Sequence, residues 1–209
     1  MNFIAAFLLL LQPVAQPTTE FQASVRVNYP YASSGTVFKV TKNDSGYTSY
    51  ILSTGHMKKR EDPEIEFFFI DGTEKHVKAK GNILFLVENS DKGIDFCLIE
   101  VITKQKPAFV PIAKKDAKEK DKCVSIGCDL ATKPKVYSAS ILNLEKTQYM
   151  LENAPLNAGR SGGGLFLNNE IVGVCWGCQT YGDQTQGLFT RISIIRNVLT
   201  ASGYEHLLE

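Results

Sequence analysis

The sequence lacks a charge bias and apolar runs long enough to span a bilayer. Its 23 Lys and Arg against 22 Asp and Glu leave a formal net charge of +1. That balance gives no electrostatic case for nucleic acid or an anionic membrane as partner. Five cysteines are too few for a cysteine-stapled miniprotein, and the odd number leaves at least one thiol unpaired within the chain. The one notable apolar run, residues 3–11 in "MNFIAAFLLLLQPVAQPTTEF", has the length of a signal-peptide core and falls short of a bilayer span. No basic residue precedes it, and a buried N-terminal element is the other reading. A leader over residues 1–15 is the expectation, with export to a secreted or periplasmic location and no membrane span in the mature chain.

Amphipathic helices are also missing from most of the chain. What stands there instead, in a globular composition with 44% hydrophobic residues, is a series of short Val-, Ile-, Phe- and Tyr-rich segments. "ASVRVNY", "SGTVFKV", "YTSYILS", "EIEFFFI", "KHVKAK", "NILFLVE" and "DFCLIEV" are separated by "YPYASS", "KNDSG", "DGTE" and "SDKG", which are turn signals. A charged stretch over 104–122, "KQKPAFVPIAKKDAKEKDK", reads as a solvated connector, because its acids interleave with its lysines. Strands resume with "CVSIGC", "KVYSASILNL", "TQYMLE", "GGLFLN", "EIVGVCWG" and "GLFT", and "LNNEIV" reads as a tight hairpin. A helical period begins only after Arg191, with Ile192, Ile195, Val198 and Leu199 on one face and Gly203 as a stop. The expected organisation is all-β, with halves over 20–103 and 123–190, the connector over 104–122 and a short helix over 191–203.

The stretch most in need of a reason is "NAGRSGGGLF", residues 157–166. Three successive glycines lose about 1 kcal/mol each relative to alanine inside a helix and offer a strand nothing to pack. Such density marks a tight turn, or backbone that must approach another group closely. A serine on that turn, flanked by free amide groups, suits a nucleophile that needs an oxyanion cradle. Two further residues supply what a serine hydroxyl lacks. His56 ends the apolar strand "YILSTGH", and Asp95 opens "DFCLIEV", where a buried carboxylate needs a hydrogen-bonded partner. Nucleophile, general base and orienting acid are thus present as Ser161, His56 and Asp95.

Taken in order, "SSGTVFKV" followed by "YILSTGH", then "GIDFCLIEV", "AGRSGGGLF", "EIVGVCWG" and "QGLFTRI" resemble the trypsin/chymotrypsin-like serine peptidases, in particular the bacterial HtrA-type branch. The resemblance runs through most of the chain after the leader. It implies two six-stranded antiparallel β-barrels with the catalytic residues His56, Asp95 and Ser161 in the cleft between them. It also implies an oxyanion hole from the amides of Gly159 and Ser161, a polypeptide substrate and no metal or organic cofactor. Pro155 would lie near the base of the primary specificity pocket, with Trp176, Gly177 and Gly187 near its walls. With no carboxylate at 155, a small or apolar side chain is the expected preference. The sequence departs from the family at three places. Arg160 stands where the animal digestive members carry an Asp that pairs with a newly freed N-terminus, so activation of that kind is not expected. Gly164 replaces the usual proline, and "TGH" replaces Ala-Ala-His. No PDZ-like region follows within these residues.

Other readings compete. "GRSGG" also fits the nucleophile elbow of α/β-hydrolases, with His206 downstream, but that elbow needs a helix directly after the serine. Cys123, Cys128, Cys175 and Cys178 could hold zinc, although disulfides suit an exported protein better. Their spacing does not choose among three pairings, and Cys128–Cys175, bridging two second-barrel strands, is the expectation carried forward. Cys97 should be a buried free thiol and His76 an exposed strand residue. The main rival function is a catalytically inactive trypsin-fold binding or scaffold protein; an all-β adhesion domain would leave the His–Asp–Ser order unexplained.

Overall fold

The computed structural model describes residues 17–29, 31–56, 62–151, 157–181 and 184–209. The expected leader and Pro155 lie outside them. A four-residue helix, α1 (Thr19–Gln22), leads into β1 (Ser24–Tyr29), β2 (Tyr31–Asn43), β3 (Gly46–Ser53), β4 (Glu64–Ile70), β5 (Thr73–Asn89) and β6 (Ile94–Thr103). These strands pair antiparallel in the order β1-β2-β3-β6-β5-β4, and β1 with β4 closes the barrel. The second barrel holds β7 (Lys122–Gly127), β8 (Lys135–Leu144), β9 (Gln148–Leu151), β10 (Gly164–Leu167), β11 (Glu170–Tyr181) and β12 (Gln184–Arg191). Its order is β10-β11-β12-β9-β8-β7, closed by β10 with β7. The expected double barrel is the observed one.

Strand periodicity accounts for the interior. Val25, Val27, Val37, Ile51, Ile65, Phe67, Ile83, Cys97, Ile99 and Val101 fill the first barrel. Their neighbours Phe38, Leu52, Phe96 and Leu98 point the other way and join second-barrel residues in one larger core. β3 and β6 are therefore apolar on both faces, which is why "DFCLIEV" shows no alternation. Each large side chain so buried contributes about 1.5–3 kcal/mol.

Two expected strands are one. "KHVKAK" and "NILFLVE" run together as the 17-residue β5. Gly81 looks like a break in sequence, but it pairs with Val101 inside the ladder, and a Cβ there would come 2.8 Å from the Ile99 side chain. The glycine makes room rather than ending the strand. The hairpin expected at "LNNEIV" is present. Asn168 and Asn169 both take positive φ, 52° and 62°, between the paired residues Leu167 and Glu170, as a two-residue primed turn requires.

The connector is stitched down rather than solvated. Its lysines are exposed, but Val110, Ile112, Ala113 and Ala117 are buried, and backbone bonds tie Val110 to Val37 and Ala113 to Ile171. Charge patterning hid this because the apolar residues lie between prolines and lysines. At its end, Asp116 accepts the Ser193 amide at 3.0 Å and the Tyr149 hydroxyl at 3.0 Å, which holds the start of α2 (Ile192–Ala201). Ile192, Ile195 and Leu199 of that helix are buried, as their spacing predicts. A following 3₁₀ turn, Glu205–Leu207, returns to the first barrel, where Lys39 Nζ donates to the carbonyls of His206 at 2.8 Å and Glu209 at 3.2 Å.

The expected Cys128–Cys175 disulfide is absent, and all five cysteines are free. The two side chains face different interiors: Cys128 packs with Phe68 and Phe69, Cys175 in the main core. Burial pushes each thiol up to about 12, which leaves both unreactive at neutral pH.

Candidate active site

The chain leaves β3 through Thr54 and Gly55 and presents His56 at the barrel rim, while Asp95 is the second residue of the neighbouring β6. Asp95 is 1% exposed and its oxygens are fully engaged. Oδ1 accepts Thr54 Oγ1 at 2.7 Å, the Gly55 amide at 2.6 Å and the His56 amide at 3.2 Å. Oδ2 accepts His56 Nδ1 at 2.9 Å. Burial alone would push this carboxyl up, but the bonds from His56, Thr54 and Gly55 outweigh it and hold Asp95 below its ordinary value.

The same contacts fix the imidazole. Thr54 spends its hydroxyl proton on Asp95, so its oxygen can only accept from His56 Nδ1, 2.7 Å away. With Asp95 Oδ2 and Thr54 Oγ1 both acceptors, the neutral ring carries its proton on Nδ1 and leaves the Nε2 lone pair free. The hydrogen bond to Asp95 raises the His56 pKa, burial opposes it, and the charges of Asp95 and Glu88 add to the rise.

Ser161 lies on the second barrel, on a turn docked against the first. Its carbonyl accepts the Ser34 amide at 2.7 Å, and the Gly162 amide donates to the Cys175 carbonyl at 2.7 Å. Gly162 has φ +88°, and a Cβ there would collide with the Ser34 carbonyl and lie 2.9 Å from the Thr54 amide. The glycines thus bring the serine turn onto the strand end that carries His56.

The peptide orientations around Ser161 follow from what their carbonyls do. The Ala158 carbonyl accepts the Leu130 amide at 2.6 Å, and the Arg160 carbonyl accepts the Gly163 amide at 2.9 Å. In a trans peptide the N–H points opposite to the C=O, so the amides of Gly159 and Ser161 face away from these bonds. Neither has an acceptor among the described residues. Gly159 reaches this arrangement at φ +92°, and the Ser34 hydroxyl holds its carbonyl at 2.7 Å.

Of the wall residues, Trp176 and Gly177 directly follow Cys175, which bonds to the serine turn. Trp176 sits in the β-bulge between Cys175 and Gly177, and Gly187 pairs with Cys178. An added Cβ at Gly177 would meet nothing within 4 Å, so that backbone borders open space. His76 lies 3.3 Å from Glu66, and His206 belongs to the C-terminal turn. Gly164 opens a strand, not a helix, which removes the nucleophile-elbow reading. Among the described residues no three His, Cys, Asp or Glu side chains are grouped to hold a metal.

Sequence reasoning missed three polar residues here. Thr54 is fully buried; a hydroxyl two residues before His56, at the end of a mostly apolar strand, was the available signal. Thr190, also fully buried, accepts the Asp95 amide at 3.1 Å from the opposite barrel. Asp129 pairs with Arg160 through a 2.7 Å contact, both side chains completely buried.

The glycine in "TGH" has a spatial cause. A Cβ on Gly55 would fall onto the Val87 carbonyl and 3.0 Å from that of Phe96. Gly55→Ala should cost about 3 kcal/mol, the upper end for overpacking, and lower Tm by roughly 6–12 °C in a chain of this size. Gly177→Ala is the control, and thermal denaturation of the two decides. Equal melting temperatures would mean that the strand end yields freely.

No protein-family model matches the sequence, and no curated protein matches it. Solved structures do match in fold. A serine endoprotease from Yersinia pestis superposes with a TM-score of 0.66 at 17% identity, over 92% of this chain and 67% of that one. The MamO protease domain from Magnetospirillum magneticum gives 0.65 at 18%, over 87% and 97%. An inactive mutant of Rv3671c from M. tuberculosis gives 0.66 at 16%, over 92% and 94%. With both barrels closed and the connectivity in hand, the chain has the double β-barrel fold of the trypsin-like serine proteases.

Proposed function

We propose that the protein is a serine endopeptidase. Ser161 Oγ attacks the scissile carbonyl while His56 Nε2 takes its proton, and the amides of Gly159 and Ser161 bind the oxyanion that forms. His56 then returns the proton to the leaving amine, and water hydrolyses the Ser161 ester by the same route. Asp95 holds the tautomer and balances the imidazolium. The observation that carries this reading is the Asp95–His56 bond beside a docked serine turn whose two amides have no acceptor among the described residues. Export and a preference for small or apolar side chains, through Trp176, Gly177 and Gly187, belong to the same proposal.

The three departures that favoured an inactive scaffold have local causes unrelated to lost chemistry. Gly55 is required by Val87, and a Cβ on Gly164 would collide with the Phe166 ring and lie 2.8 Å from the Thr36 hydroxyl. Arg160 has its own buried partner in Asp129.

The test is labelling with a fluorophosphonate probe, with Ser161→Ala and His56→Ala as controls. Wild type alone should label. A His56 pKa raised above its ordinary 6.5 places loss of labelling where pH falls through that raised value, because the base must be neutral. Folding runs the other way: the protonated ring strengthens the pair, so its contribution is complete below 6.5 and fades as pH rises through the raised pKa. A folded wild type that does not label, or a rate that stays flat from about pH 5 to 8, would overturn the assignment.

A further inference from the structure

Arg160 precedes the serine, and yet among the described residues it is the largest side chain wholly removed from solvent. Its Nε donates to Asp129 Oδ1 at 2.7 Å, one terminal nitrogen to the Ser125 carbonyl at 3.2 Å and hydroxyl at 3.0 Å, and the other to the Lys135 carbonyl at 3.0 Å. The guanidinium lies over the Tyr137 ring at 4.2 Å. Asp129 is completed by the Tyr137 hydroxyl at 2.9 Å and Asn157 Nδ2 at 3.3 Å on its other oxygen. A charge pair taken this far from water is costly to assemble, and a well-packed apolar pair is often at least as stable. Its place in the turn supplies a reason beyond stability.

Asp129 opens the 3₁₀ turn Asp129–Ala131, in which Leu130 and Ala131 take positive φ of 51° and 59°. Such angles are strained in non-glycine residues. That turn grips the serine loop on both sides of Gly159: the Leu130 amide holds the Ala158 carbonyl, and the Asp129 carboxylate holds Arg160. From the first barrel, Arg26 donates to the Ala131 carbonyl, and the Cys128 amide bonds Ser34 Oγ at 2.7 Å, whose hydroxyl in turn holds the Gly159 carbonyl.

We infer that Asp129 is a positioning residue. Through Arg160 it latches the serine loop with the Gly159 and Ser161 amides facing the cleft, so that the oxyanion cradle is formed by the chain itself, without a cleaved terminus to order it. The role rests on the peptidase reading for its effect on rate, but the loop conformation can be tested separately. The experiment compares wild type, Asp129→Asn, and Arg160→Met combined with Asp129→Leu, an apolar pair chosen to keep the interior filled. Circular dichroism and cooperative melting select the folded variants. Two quantities are then read: the amide NMR signals of Gly159 and Ser161, and kcat and KM on a peptide ester.

Wild type should give one narrow signal for each amide, and the variants split or broadened ones. The kcat should fall about a hundredfold, as for loss of one oxyanion donor, with KM held within about threefold. A folded variant with wild-type amide signals and kcat within about threefold overturns the latch. A wild type inert toward ester and probe overturns the peptidase reading, and the amide signals still decide the latch. If the apolar pair does not fold, Asp129→Asn carries the same two readouts.

Discussion

Replacing Ser161 with alanine should lower turnover by about a millionfold and leave the fold unchanged. On the peptidase reading, the magnitude follows from removing the nucleophile of a unit whose members act together, as other triads behave. What survives is the catalysis over water supplied by the two amides and by binding, about a thousand- to ten-thousandfold. The intact fold follows from how the turn is held. Its anchors are backbone groups: the Ser161 carbonyl on the Ser34 amide and the Gly162 amide on the Cys175 carbonyl. The Ser161 hydroxyl makes no hydrogen bond among the described residues, so alanine removes no structural contact. Ester turnover against the active-site concentration, beside a thermal melt, checks both halves. Residual activity within tenfold of wild type would show that another group is the nucleophile.

Asp95→Asn should cost about ten-thousandfold in kcat near neutral pH, through the proton on His56. The new amide cannot choose its orientation. Asp95 Oδ1 receives the backbone amides of Gly55 and His56 as well as the Thr54 hydroxyl, so the asparagine oxygen must occupy that side. Its NH₂ group then stands where Oδ2 was, opposite His56 Nδ1. A donor there forces the ring to accept at Nδ1 and carry its proton on Nε2, the wrong tautomer for a base. Ring nitrogen chemical shifts should report the exchange directly, and KM should change little. A variant that keeps a tenth of the wild-type kcat, or one whose ring retains the Nδ1 proton, would separate Asp95 from the chemistry.

How legible the site was depended on whether its cause is local. Ser161 could be read because glycine density is visible in one window, and His56 and Asp95 because each is an awkward polar group at the edge of an apolar strand. Thr190 and Asp129 could not, since each matters only through a partner that the fold brings near; Thr190 and Asp95 are 95 residues apart. The strands were legible for the same reason as Ser161, and their errors have matching causes. Gly81 reads as punctuation because the neighbour that requires it, Ile99, lies on another strand. The Cys128–Cys175 bridge follows from reading both as strand residues, but Cys128 lies just past β7 and the two side chains pack in different interiors.

Each half of the site is fastened by the half it must meet. A hydroxyl from β12 holds the Asp95 backbone, and the amide and hydroxyl of Ser34 in β2 hold the carbonyls of Ser161 and Gly159. A chain emerging during synthesis can complete its first barrel long before residue 190 exists, and it will then hold His56 and Asp95 without the counterpart that steadies the acid. The second barrel, formed alone, would lack the clasp on its serine loop. On the peptidase reading, hydrolytic competence is thus a property of the finished molecule. A copy with only one barrel formed would, on that reading, hold half of the site and none of its cross-barrel fastenings.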